Sequence, residues 1–175
     1  MSQTFKGNEI INLAIEIEKN GYMFYKSVAG KAKSVKVRKV FLWLAAEENK
    51  HRKLFKAILE GTDWHPQPES YTGEYNDYVK AVADGNIFTK GKTVKNIIKQ
   101  SPSILQALKT AIGFEKAPVE FYSRMKKFVP ESGQVIIRSV IEEEKQHIVR
   151  ILELKNKLNK KELDIVIFPQ SHFSV

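Results

Sequence analysis

Two stretches of the chain nearly repeat each other: Ala14-Ile15-Glu16-Ile17-Glu18-Lys19 with Phe24-Tyr25, and Ala111-Ile112-Gly113-Phe114-Glu115-Lys116 with Phe121-Tyr122. Each is followed by a Glu-x-x-His, Glu48 with His51 and Glu144 with His147. The copies are offset by 97 residues from Glu18 to Glu115 and by 96 from Glu48 to Glu144. So constant an offset predicts one helix pair used twice, its copies related by a pseudo-twofold axis.

The punctuation of the chain fits that plan. Asn8 reads as the N-cap of a helix over 8–31 and Ser34 as that of a second over 34–60. Pro66, Pro68, Gly73, Gly85 and Gly91 break the pattern over 61–100, apart from a short helical stretch at 74–83. Ser101-Pro102 reads as N-cap and first residue of a third helix over 101–128, and Pro130 and Gly133 mark the turn into a fourth over 131–160. The short first connection makes helices one and two antiparallel neighbours. A connection as long as 61–100 is explained by a crossover along a bundle. The expectation is therefore a single all-α domain over 1–175, a four-helix bundle of ferritin-like topology built from two helix hairpins. In the tail, 161–175, the apolar run Ile165-Val166-Ile167-Phe168 is expected to dock on the bundle or on a partner.

Helical periodicity decides which acidic residues face the core. With Glu18 at zero and about 100° per residue, Ile11, Tyr25 and Ala29 fall within about 20° and Ala14 and Tyr22 within about 40°, while Glu16 and Asn20 lie opposite. Phe41, Leu44, Phe55 and Leu59 surround Glu48 in the same way. Ile104, Leu108, Ala111 and Tyr122 surround Glu115, and Ile137, Val140, Ile148 and Ile151 surround Glu144. Glu47 and Glu143 sit about 100° off the stripe and are assigned to the bundle flank. A spacing of three brings Glu48 beside His51 and Glu144 beside His147 on one turn.

Four ionised carboxylates in an apolar core repel one another, and each loses hydration unless compensated. Two divalent cations balance them, with the imidazoles neutral. One inward glutamate on each of two helices and Glu-x-x-His on each of the other two is the donor set of di-iron and di-manganese carboxylate bundles. Oxygen-rich ligation with one imidazole per metal suits iron or manganese, and zinc also binds such a set. The expected ligands are Glu18, Glu48, His51, Glu115, Glu144 and His147, with Glu48 and Glu144 bridging. Tyr25 and Tyr122 lie two turns from Glu18 and Glu115 on nearly the same face. They either hydrogen-bond ligand carboxylates or serve as amphipathic core residues. Trp43, His65 and His172 are assigned structural or surface roles.

The chain has no cysteine, which excludes disulfides, a thiolate nucleophile and any Cys₄ iron centre, so electrons must come from outside. A net charge of +9 could attract nucleic acid or an acidic redox partner. The lysines are scattered without aromatic interleaving, which favours a solvated surface over a nucleic-acid face. There is no signal-peptide pattern and no apolar run near the ~18 residues of a membrane span, so a soluble, cytoplasmic protein that does not enter the membrane is expected.

Ala14 to Tyr25, Phe41-Leu-Trp-Leu-Ala-Ala-Glu-Glu to His51, Ala111 to Tyr122 and Glu142-Glu-Glu-Lys-Gln-His147 together resemble the rubrerythrin-like branch of the ferritin-like superfamily. The resemblance implies a non-haem di-iron centre, a homodimer, and reduction of hydrogen peroxide under oxidative stress, with a separate donor such as a rubredoxin. Two departures stand out. Full-length rubrerythrins carry a rubredoxin domain, which a chain without cysteine cannot form. They also carry an additional glutamate ligand three residues after the third-helix glutamate. Here that place is Pro118 and its pseudo-symmetric mate is Gly21, so the six-ligand set is more similar to a bacterioferritin-type oxidase site. Pro118, one turn past Glu115, is further expected to kink or bulge the third helix.

Three functions compete. The first is a di-iron oxidoreductase reducing peroxide or dioxygen with external electrons. The second is a ferroxidase or iron-handling protein of ferritin type. The third, disfavoured by the scattered lysines, is a basic nucleic-acid-binding bundle with structural metals.

Overall fold

The computed structural model describes residues 7–61, 96–97, 103–126, 129 and 131–167. Nearly all of the expected crossover lies outside them, with the 74–83 stretch, Ser101-Pro102, His65 and His172. Among the described residues there are five helices: α1 Gly7–Lys31, α2 Val35–Gly61, α3 Ile104–Met125, α4 Glu131–Asn156 and the single turn α5 Lys160–Leu163. The protein is all-α, a ferritin-like bundle in which α1 packs on α2, α3 on α4, and the two hairpins on each other. No helix among the described residues is long and apolar enough to cross a membrane.

Hydrogen bonds around the turn close the first hairpin. Ser34 precedes α2 and accepts the Val37 N–H on its hydroxyl at 3.5 Å, while Arg38 donates twice to the Ala32 carbonyl, at 3.2 and 2.9 Å. The Arg38 guanidinium thereby ties the end of α1 to the start of α2. Asn8, the expected N-cap, falls within α1, which is described from Gly7 onward.

The N-cap of α3 is Ser103, not Ser101. Its hydroxyl accepts from Gln106 N–H at 3.3 Å, and the Gln106 side chain accepts the Ser103 N–H at 2.8 Å. A residue able to reach back three positions later satisfies two orphan donors at once. The fourth helix likewise ends at Asn156, because Asn159 and Glu162 form a second capping box that starts α5.

No break interrupts α3 at Pro118. The helix runs on as one element from Ile104 to Met125, with buried side chains on both sides of the proline, Glu115 and Phe121 among them, anchoring it to the bundle. Gly133, inside α4, is needed for packing, since a Cβ there would come within 2.5 Å of Val129 Cγ1.

The apolar interior falls into two clusters at opposite ends. One joins the second half of α1, through Phe24, Tyr25 and Val28, to Phe41, Leu44, Leu108, Ile151 and Leu154. The other joins Ile11, Ala14 and Ile17 to Phe55, Tyr122, Ile137 and Val140. The tail closes the first end. Ile104 N–H donates to the Ile165 carbonyl at 2.9 Å, Ser103 and Val166 form an antiparallel bridge, and Ile167 is buried. The stretch 165–167 thus docks on its own bundle, while Phe168 lies outside the described residues.

Candidate metal centre

Between the two apolar clusters lies a polar layer. Glu18, Glu48, His51, Glu115, Glu144 and His147 all meet there, and none is more than 4 % exposed. Glu18, Glu48, His51 and Glu144 each contribute one atom to a group lying within 4.8 Å of one another, and so do Glu48, Glu115, Glu144 and His147. The two groups share Glu48 and Glu144. The helical register explains the layout, because each hairpin brings one glutamate and one Glu-x-x-His to the same level.

The imidazoles aim Nδ1 inward. His51 Nδ1 lies 3.0 Å from Glu144 Oε1 and 3.5 Å from Glu18 Oε2, and His147 Nδ1 lies 3.0 Å from Glu115 Oε2 and 3.2 Å from Glu144 Oε2. The two rings stack with centroids 5.4 Å apart. Despite these approaches, Glu18 Oε2, His51 Nδ1 and Glu144 Oε1 make no aligned hydrogen bond, though all three are buried. Buried polar atoms are almost always partnered. Three that converge without one, two of them carboxylate oxygens, are a donor set shaped for a cation. The residues present fit a di-metal group on that ground.

The tyrosines cross between the two copies. Tyr25 on α1 donates to Glu115 Oε1 on α3 at 2.5 Å, and Tyr122 on α3 donates to Glu18 on α1. Each phenol therefore fixes a candidate ligand on the opposite hairpin, and both are fully buried. Burial first, and then the charges of Glu115 on Tyr25 and of Glu18 on Tyr122, push both phenols well above their ordinary value, so they remain donors.

The electrostatics are those of a strained acidic cluster. Burial, and next the charges of Glu18 and Glu144, push Glu48 well above the ordinary glutamate range. Burial, and next Glu115, does the same to Glu144. Burial also acts upward on Glu18, but the adjoining Glu48 carboxyl and the nearby His51 imidazole outweigh it, and its carboxyl is held low. Protons are thus driven onto Glu48 and Glu144, the two residues common to both groups.

Several positions differ from their sequence assignment. Glu143 is not a plain flank residue: its Oε2 lies 3.3 Å from His51 Nε2 and 2.6 Å from Lys50 Nζ. A carboxylate on the outer nitrogen fixes ring orientation and leaves Nδ1 for a metal. Glu47 likewise groups with His51 and His147. Asn20, expected to face water, is 1 % exposed, because α1 packs against both α2 and α3 and buries a wider arc than one stripe. Trp43 meets the His147 ring edge-on at 5.0 Å. Gly21 lies against Glu48, where a Cβ would come within 2.9 Å of Oε2 and 3.0 Å of Cδ. The glycine gives that carboxylate its room. The contacts of Glu143, Trp43 and Gly21 all cross between helices, so no spacing along the chain reports them.

Comparison with known proteins places this architecture. The sequence profile described as rubrerythrin matches residues 9–103. No curated protein matches the chain. A solved structure from Thermotoga maritima, determined at 2.30 Å and provisionally described as a ferritin-like diiron-carboxylate protein, is similar at 23% identity with a TM-score of 0.65. The likeness covers 88% of this chain and 97% of that one.

Proposed function

The chain belongs to the rubrerythrin family, and from that premise we propose that it is a non-haem di-iron oxidoreductase that reduces hydrogen peroxide or dioxygen with electrons from a separate carrier. The observation that carries the proposal is the pair of overlapping four-residue groups sharing Glu48 and Glu144 around partnerless buried atoms. Glu18 and His51 would hold one iron, Glu115 and His147 the other, and Glu48 and Glu144 both. The donor set suits manganese as well, and iron is the choice that matches the redox reading.

When bound, the metal pair supplies the electron storage that protein side chains lack. The chain's own residues do the rest. Tyr25 and Tyr122 hold Glu115 and Glu18 in place by hydrogen bonds from neutral phenols. Glu143 orients His51, and Gly21 leaves Glu48 free to lie against α1. The two apolar clusters exclude bulk water on both sides, which strengthens each of these interactions. Peroxide reduction takes up two electrons and two protons per molecule and yields two waters. Glu143 touches both the buried His51 and the exposed Lys50, which puts a polar contact between His51 and the surface.

A ferroxidase is the second reading. It is favoured by Pro118 and Gly21 standing where the family's additional carboxylate and its mate would be, which leaves six protein ligands.

Anaerobic iron titration followed by peroxide and a reductant tests both. The first reading expects uptake to stop near about two irons per chain and peroxide to be consumed repeatedly. Uptake that continues far beyond this would favour iron handling. Glu115→Ala should reduce peroxide turnover to background, and full retention would place the chemistry elsewhere.

A further inference from the structure

Trp43 connects the candidate centre to the surface. Its ring meets that of His147 edge-on, with centroids 5.0 Å apart at 84°, and the Arg150 guanidinium lies over the indole, 4.3 Å from the centroid. The side chain is half-buried. One turn earlier on α2, Val40 lines a groove between α2 and α4 whose rim carries Lys36, Lys39, Arg150 and Lys157 against the single carboxylate of Glu153. All five charged residues are exposed, and Glu153 already lies 3.8 Å from Lys157. Outside the groove, Lys19, Arg124 and Lys145 are each matched by one carboxylate on their own helix, Glu16, Glu120 and Glu142. In the groove four cations face one carboxylate, and Arg150, which lines it, also covers the indole that meets the candidate ligand His147.

We propose that this groove docks an acidic one-electron carrier protein and that Trp43 conducts its electron to the metal centre through His147. The inference rests on the di-iron reading above. Each encounter oxidises the carrier by one electron and reduces the centre by one. Two encounters supply the electrons that, with two protons, convert one peroxide to two waters. Trp43 acts as a bridge and is not itself oxidised. Tunnelling decays more slowly through its π-system than across a gap of the same width, and the cation over its face disfavours loss of an electron from the ring. The cationic rim steers an anionic partner and sets the on-rate.

The test uses the iron-loaded protein and a rubredoxin of net negative charge. Loaded with zinc, that carrier keeps its charge but has no electron to give, so binding is read apart from redox chemistry. Its affinity should fall with added salt, and Lys36→Glu with Lys39→Glu should weaken it by about tenfold or more. The same charge change at Lys26→Glu with Lys116→Glu, on α1 and α3, should leave it close to the parent value. With the iron-loaded carrier at saturation, Trp43→Leu should bind normally but accept electrons severalfold more slowly per bound di-iron site, and Trp43→Phe should recover part of the rate. Equal weakening by both double variants, or an unchanged saturated rate in Trp43→Leu, overturns the proposal. A neutral hydroquinone bypasses the groove. Peroxide turnover with it, together with carrier results of the overturning kind, sinks this inference alone, whereas no turnover with either reductant sinks the di-iron oxidoreductase reading.

Discussion

Gly21 shows how one missing methyl group can serve a metal site. Glu48 Oε2 lies where a Cβ at position 21 would come within 2.9 Å, and Glu48 belongs to both four-residue groups. In the metal-free protein Gly21→Ala should be tolerated or mildly stabilising, since alanine is favoured over glycine inside a helix by about 1 kcal/mol. Metal affinity should move the other way, falling by about 10- to 100-fold as for other residues that position ligands. Calorimetric iron titration beside thermal melts of the metal-free variant checks this. An alanine variant that binds both metals at parent affinity would show that Glu48 has other room. The role was not legible in one dimension. Sequence alone marks Gly21 as the mate of Pro118, but which atom would crowd a side chain there depends on how α1 and α2 face each other.

At the scale of elements, the helices follow from periodicity and the caps decide their ends. The stripes through Glu18, Glu48, Glu115 and Glu144 were legible because each carboxylate sits among residues that are apolar at helical spacing, and Phe41, Phe55, Leu108, Ala111 and Ile137 are indeed fully buried. Ends were harder to read. Ser101 and Ser103 are both good capping residues, and only the reach of Gln106 selects Ser103. Ser103→Ala should cost about 1 kcal/mol of stability, as loss of an N-cap hydroxyl commonly does. Thermal or urea unfolding measures it, and a change near zero would mean that the Ile104–Ile165 bond and the Val166 bridge set the start of α3 on their own. Proline at 118 teaches the converse. A local breaker signal is overridden when the residues around it are buried, because helix stability inside a bundle comes mainly from packing.

For the whole molecule, the polar layer should make stability depend on pH in a direction set by its metals. Glu48 and Glu144 are pushed up by burial and by neighbouring carboxylates, so the folded metal-free protein holds protons that the unfolded chain has released. Stability then falls as pH rises from the ordinary glutamate range toward neutrality. His51 acts in the same direction: burial lowers it, but Glu18 and Glu143 raise it on balance, and that contribution is lost as pH climbs past its folded value. Glu18 is held low and acts oppositely, its contribution disappearing only on acidification. The melting temperature of chelator-treated protein should therefore drop between about pH 5 and 7. Bound divalent metal should flatten or reverse that slope, since a cation replaces the protons and stabilises only the folded state. Melts with and without chelator across that interval decide the matter, and a metal-free midpoint that rises with pH would contradict the raised carboxyls.

The residues alone determined the class of the molecule and its donor set. Apolar positions repeating at helical spacing can bury only one way, and a duplicated pattern must bring its two copies of Glu and Glu-x-x-His to equivalent places. The tertiary structure decided what lies across from what. It paired Tyr25 with Glu115 and Tyr122 with Glu18, set Glu143 behind His51, laid Trp43 against His147, and buried Asn20. Those relations arise from the rotation and register of one helix against its neighbour, which depend on how many side chains interdigitate at once and leave no periodic trace in the chain.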